Sequence, residues 1–284
     1  MANIPTKLIL EPLLRGWLLE DIGRGDRTTS AIFPVEFNKG KAYCLLKEEG
    51  VIAGLPIAKQ VFQLLDERVI FSFTTEEGKF YQSGTVVAEI EGEMNGLLMG
   101  ERVALNLVMH LSGIATMTRK YVDAIADYHT QLVDTRKTTP GLRILEKYAS
   151  QVGGALNHRM GLDDAVMIKD NHIKACGSIQ RAIALVRDHI PYPLTIEVET
   201  NTIAQVREAI AHQADIIMLD NMTIDEMSTA VDIIRKAQEN IKIEASGNIT
   251  LETITTVAET GVDYISTSAT ITRSSWLDLS MKFQ

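Results

Sequence analysis

The chain has 284 residues, 45% of them hydrophobic and 23% charged, with a formal net charge of −9. That composition belongs to a folded globular protein of one large or two modest domains, and the acidic balance argues against a nucleic-acid or anionic-membrane partner. The two cysteines, Cys44 and Cys176, lie far apart and outside any CxxC pair, so no disulfide framework or zinc knuckle is indicated and a cytoplasmic setting is expected. The opening MANIPTKLILEPLLRGWLLEDIG has no charged-then-apolar leader pattern, and no run of about 18 apolar residues is present to cross a membrane.

In chain order, the segment EDIGRGDRTT (20–29) reads as a turn with helix caps. Short apolar or alternating runs bounded by glycine follow at Ala42–Lys47, Gly50–Leu55, Ile70–Thr74 and Thr85–Glu91, which predicts a small antiparallel sheet. A helical pattern from about Ile57 to Leu65 interrupts them. From Leu97 to about Ala126 the chain reads as helix, broken or bent near Ser112-Gly113. Past residue 130 apolar strands alternate with amphipathic helices. Strands are expected near Gln131–Asp134, Ala165–Ile168, Leu194–Val198, Asp215–Leu219, Lys242–Ala245 and Tyr264–Thr267. Helices are expected at Ser178–His189, Ile203–His212, Ile224–Gln238 and Leu251–Thr260. Such alternation implies parallel pairing through right-handed crossovers, hence an α/β barrel, with any seventh strand unplaced.

Each of these strands ends on polar residues: DTRK, KDN, EVE, LDN, EASGN and STS. Strand exits to water are commonly polar, but six in register point to one functional face at the carboxyl ends of the strands. That rim supplies the cations Arg136, Lys137, Arg159 and Lys169 with His158 beside them, the carboxylates Glu199 and Asp220, and the small turns Ser246-Gly247-Asn248 and Ser266-Thr267-Ser268. Like charges so gathered in an acidic chain call for anionic occupants, and guanidinium forks grip carboxylates bidentately. The two carboxylates, read as standing apart from the cations, suit hydrated magnesium beside a phosphate ligand. Gly/Ser turns entering helices offer N–H groups to phosphate. The rim therefore reads as a site for a carboxylate-bearing substrate next to a phosphate-bearing, metal-assisted one.

The runs VDTRKTTPGLR (133–143) and NHRMGLDDAVMIKDNH (157–172) closely resemble those of the quinolinate phosphoribosyltransferases. So do EDIGRGDRTT, GERVALNLVMHLSGIAT (100–116), IEVE (196–199), MLDN (218–221), EASG (244–247) and GVDYIS (261–266), all in family order. The resemblance implies an N-terminal α/β sandwich over residues 1–113, joined by the tail 270–284, and an incomplete TIM-like α/β barrel over 114–269. It implies transfer of phosphoribosyl from 5-phosphoribosyl-1-pyrophosphate to quinolinate with decarboxylation, giving nicotinate mononucleotide, pyrophosphate and carbon dioxide, with Mg2+ and no organic cofactor. Quinolinate contacts fall on Arg136, Lys137, His158, Arg159 and Lys169, and on Arg102 reaching across a homodimer. Glu199 and Asp220 fall near the donor's ribose and magnesium, and Ser246, Gly247, Asn248, Ser266 and Ser268 near its phosphate. Lys137, Lys169, Glu199 and Asp220 are the catalytic candidates, and Glu197 a supporting one. Two departures stand out: Asn248 occupies the place of an expected second glycine, and Ser268 that of another. Against each site residue stands a structural reading as an ion pair or a solvated strand end. Rival functions are a paralogue acting on another acid, a Rossmann-like phosphoribosyltransferase, a lyase forming a Schiff base on Lys169, and a non-catalytic phosphate-binding barrel.

Overall fold

The computed structural model describes residues 3–33, 39–238 and 240–284. Among these the elements in chain order are α1 (Lys7–Ile22), α2 (Arg27–Ile32), β1 (Lys39–Leu46), β2 (Gly50–Val51), α3 (Leu55–Leu65), β3 (Ile70–Phe73), β4 (Phe80–Tyr81), β5 (Val86–Glu93) and α4 (Met94–Ala124). There follow β6 (Gln131–Val133), α5 (Arg143–Gly153), β7 (Val166–Ile168), α6 (Asp170–Cys176), α7 (Ile179–Arg187), β8 (Ile196–Thr200), α8 (Ile203–Ala211), β9 (Ile216–Asp220), α9 (Ile224–Ala237), β10 (Lys242–Ser246), α10 (Ile254–Glu259), β11 (Tyr264–Ser266), α11 (Ala269–Thr272) and β12 (Leu279–Phe283).

The chain divides into two compact units. The first comprises Met1–Arg119, Thr139–Gly154 and Arg273–Gln284. Its sheet has the order β12-β1-β5-β3, with β1 antiparallel to both β5 and β12. The last strand of the chain is thus an edge strand beside the first. In β1 alternate residues Ala42, Cys44 and Leu46 are buried, the period-2 pattern of a sheet with one covered face. In α1, Leu10, Leu14 and Leu18 recur every four residues and are all buried. Asp26 accepts from the N–H groups of Thr28 and Thr29, both at 3.0 Å, so the EDIGRGDRTT segment does cap a helix, α2.

Two sequence expectations change here. The run Gly50–Leu55 yields a strand of only two residues, paired with β4, because Gly54 turns left-handed at φ 97° and α3 starts at Leu55. Helix α4 runs unbroken through Ser112-Gly113. Those residues serve close approach instead of a bend. A Cβ at Gly113 would lie 1.9 Å from the Ser275 carbonyl oxygen, and Ser112 Oγ accepts from Ala53 N at 3.0 Å.

The second unit comprises Lys120–Thr138 and Ala155–Thr272. The segment Thr139–Gly154, placed with the barrel when the sequence alone is read, belongs to the first unit, where the buried Glu146 of α5 accepts from Thr139 N at 2.8 Å and bonds His110 Nε2 at 2.9 Å. Among the described residues the sheet has six parallel strands in the order β6-β11-β10-β9-β8-β7. It is open between β6 and β7, so the barrel is incomplete; an isolated bridge from Val133 to Leu156 lies on the free edge of β6. Helices return the chain between strands and begin on side-chain caps: Ser178 accepts from Arg181 N, Thr202 from Gln205 N and Thr223 from Glu226 N. One face of the sheet carries Ile196, Val198, Ile217, Leu219, Ile243, Ala245 and Ile265, all buried. The residues between them face the other way.

Candidate active site

Register sorts the inner face. Met167 pairs with Glu197, Glu199 with Met218, Met218 with Glu244, and Ser246 with both Asp220 and Ser266. Paired residues of a parallel ladder project to one side of the sheet. Polar residues therefore rise in rows, Glu197 lowest, Glu199 level with Glu244 through Met218, and Asp220, Ser246 and Ser266 at the carboxyl ends; Glu197 and Glu244 are both buried.

All of these side chains except Glu197 line one cavity of about 270 Å³, together with Asp134, Thr135, Arg136, Lys137, His158, Arg159, Met167, Lys169 and Met218. Nine of the site residues expected from the sequence are thereby brought together: Arg136, Lys137, His158, Arg159, Lys169, Glu199, Asp220, Ser246 and Ser266. Gly247 and Asn248 form the turn after Ser246, and Ser268 precedes α11, its carbonyl accepting from Ile271 and Thr272 N–H; none of the three lines that cavity. Arg102 stands in the first unit, exposed on α4, in a separate cavity of about 480 Å³ with Trp17, Asp21, His110 and Trp276.

The loop from β6 and the loop entering β7 are tied by the buried Asp134, which accepts from Asn157 Nδ2 at 2.6 Å and His158 N at 2.9 Å. This bond sets DTRK beside NHR and collects Arg136, His158 and Arg159. Arg159 donates to the Ala165 carbonyl at 2.9 Å. Burial, and then the like charge of Arg136, hold its guanidinium below its ordinary value. Arg136 Nε is buried without a hydrogen-bond partner among the described residues, as is Ser266 Oγ. Two crowded guanidinium groups with an uncommitted donor form a receptor for a carboxylate.

At the floor His158 Nε2 meets Glu197 at 3.0 Å and Glu244 at 3.5 Å. Burial opposes the imidazolium, but the bonds to and charges of the two glutamates outweigh it and push His158 up to about 10. Burial also raises Glu197, as does the charge of Glu244, despite the bond from His158. The trio offers ligand atoms within 4.8 Å of one another, the donor types of a metal site. With the imidazole charged, Nε2 donates to the glutamates and offers no lone pair, so the trio suits a hydrogen-bond cluster better than a cation. Glu244 and its bond to His158 escape sequence reasoning; EASG displays the residue, and the period-2 rule puts it with Ser246, but nothing in the sequence names its partner.

Lys169 Nζ donates to Glu199 at 2.7 Å. The carboxylates are therefore not set apart from the cations, as the sequence suggests; the pairing of β7 with β8 brings Lys169 level with Glu199. Burial, and next the charge of Glu199, push the Asp220 carboxyl above its ordinary value. Glu199 and Asp220 are the oxygen donors on this wall that could hold a magnesium ion.

The comparisons with known proteins identify the family. Residues 26–112 match the model of the quinolinate phosphoribosyl transferase N-terminal domain, and residues 114–282 that of its C-terminal domain. The chain is 60% identical over 282 residues to a probable nicotinate-nucleotide pyrophosphorylase (carboxylating) of Synechocystis, covering 99% of this chain and 95% of the relative. A Bacillus subtilis protein of the same description is 48% identical over 274 residues, covering 96% and 93%. The crystal structure of NadC from Streptococcus pyogenes superposes with a TM-score of 0.94 at 42% identity, covering 99% of both chains. With both domain models matched in order and the fold shared along its length, the chain belongs to the quinolinate phosphoribosyl transferase family.

Proposed function

We infer that the chain catalyses phosphoribosyl transfer from 5-phosphoribosyl-1-pyrophosphate to quinolinate with loss of carbon dioxide, giving nicotinate mononucleotide and pyrophosphate for NAD biosynthesis. The observation that carries this reading is the cavity at the strand ends, where Arg136, Lys137, Arg159 and Lys169 converge above the imidazolium of His158 in a chain of net charge −9. A pyridine with two adjacent carboxylates matches such a concentration of cations; an acid with one does not need it. The names of the relatives support the same substrate and the decarboxylation.

In this reading Arg136 and Arg159 grip the substrate carboxylates and fix the ring nitrogen against the donor's C1, an effect of positioning. The nitrogen–C1 bond forms as the C1–pyrophosphate bond breaks, with positive charge developing on the ribose. Glu199 and Asp220 lie on the wall to face that charge. They would also hold the magnesium ion, which supplies charge neutralisation to the departing pyrophosphate. The pyridinium then draws in the electron pair of the breaking ring–carboxylate bond; carbon dioxide leaves, and a proton takes its place. Lys137 and Lys169 remain as cations around the anionic leaving groups. The turn Ser246-Gly247-Asn248 and the hydroxyls of Ser266 and Ser268 serve the phosphate.

We also place Arg102 at the barrel mouth of a second copy in a homodimer, on family resemblance and because the cavity it lines is formed by residues of its own unit. No helix among the described residues is long and apolar enough to cross a membrane; a cytoplasmic location accords with this reading. The deciding experiment measures carbon dioxide release from carboxyl-labelled quinolinate by purified protein. Release is expected only when quinolinate, donor and magnesium are all present. Release without the donor, or transfer to nicotinate instead, overturns the assignment.

A further inference from the structure

The turn after β9 holds an arrangement that the reaction scheme above leaves unused. Asn221 follows Asp220 with φ 53°, in the left-handed region that side chains rarely adopt. Its backbone N–H and both polar atoms of its side chain are engaged. Its N–H donates to the Ser246 carbonyl at 2.9 Å, its Nδ2 donates to Asp220 Oδ2 at 2.8 Å, and its Oδ1 accepts from Asn248 Nδ2 at 3.0 Å. The adjoining turn is moulded on it. Gly247 has φ 98°, and a Cβ there would lie 2.2 Å from Asn221 Oδ1. Asn248, in the place of an expected glycine, has φ 51° and spends its side chain on Asn221. Both asparagine side chains are exposed, so neither fills a core. Left-handed non-glycine residues persist where their surroundings over-determine them, and such positions cluster at binding sites.

We propose that Asn221 is a positioning residue for the phosphoribosyl donor: one end of its amide fixes the Asp220 carboxylate and the other fixes the Ser246–Asn248 turn, setting the distance between the groups that meet the sugar and its 5′-phosphate. The inference rests on the donor-binding reading given above and adds a residue that this reading does not require. It also accounts for Asn248, whose amide supplies a link that glycine lacks.

The test is steady-state kinetics with quinolinate and 5-phosphoribosyl-1-pyrophosphate, with thermal unfolding alongside. Asn221→Gly keeps the left-handed backbone and removes both side-chain bonds. The donor KM is expected to rise about tenfold, the effect of losing hydrogen bonds of ordinary strength, with the quinolinate KM and the melting temperature unchanged. Asn248→Ala is expected to act in the same direction, and the double variant to be no weaker than Asn221→Gly alone, since both cut one link. A donor KM within about twofold of wild type, an equal rise for both substrates with a lower melting temperature, or additive effects of the two variants would each overturn the proposal. If Asn221→Gly does not fold, an unchanged donor KM in Asn248→Ala overturns it. Absence of turnover in the wild type overturns the functional reading itself, a result distinct from all of these.

Discussion

His158 stays charged because two buried carboxylates depend on it: Glu197 and Glu244 each keep one oxygen without any partner among the described residues, and the other oxygen of each faces Nε2. A free imidazole titrates near 6.5. A histidine raised to about 10 contributes stability that is fully present below about 6.5 and is lost as pH rises through 10. Its ring resonances in the NMR spectrum should therefore not titrate between pH 6 and 8.5, whereas in Glu197→Gln they should titrate within that window. A near-neutral midpoint in the wild type would contradict the cluster. Arg136 is the complementary case, a cation with an uncommitted buried donor. Arg136→Ala should lower kcat/KM for quinolinate about 100-fold or more, the scale of a lost bidentate ion pair, and leave the melting temperature within a degree or two of wild type. The rim cations were legible in the sequence because six successive strands all end in polar runs such as DTRK and KDN, more than single exits to water would give. The pairings were not: Lys169 with Glu199, and His158 with Glu244, are set by strand register and by the Asp134 bridge between loops, neither of which one strand reveals.

At the scale of elements, glycines in helices separate two effects. Gly113 in α4 is pressed by the Ser275 carbonyl, with 1.9 Å to an added Cβ, while Gly16 in α1 has nothing within 4 Å of one. Gly113→Ala should cost about 2–3 kcal/mol through overpacking, and Gly16→Ala should add roughly 0.5–1 kcal/mol through helix propensity. Urea unfolding of both variants checks the opposite signs; equal effects would show that propensity alone governs these sites. The same contrast explains what could be read in advance. Period-2 and period-3.6 patterns expose the barrel strands and the helices capped by Ser178, Thr202 and Thr223. A glycine placed by a distant carbonyl looks identical to one placed to bend a helix, so α4 was expected to break at Ser112-Gly113. Helix α5 is similarly concealed, because its buried face includes Glu146 and Lys147.

At the scale of the molecule, the proposed dimer makes a sharp prediction. A subunit carrying Arg102→Ala and a subunit carrying Arg136→Ala should each be inactive as homodimers. Their heterodimer would contain one site with both lesions and one with neither, so mixed refolding should recover about half the wild-type activity per heterodimer. No recovery would show that Arg102 serves its own barrel, and an active Arg102→Ala homodimer that it serves neither. The alternation described along β8, β9 and β10 has a further consequence. Because Glu197 and Glu199 are separated from the helix side by Val198 alone, deleting one residue from β8 would turn an isoleucine and a valine toward the cations and drive both acids into the apolar layer. Such a change inverts the strand instead of shortening it. Length variation among functional descendants of this chain should accordingly be confined to connections such as 188–195, while the strands drift only by substitution.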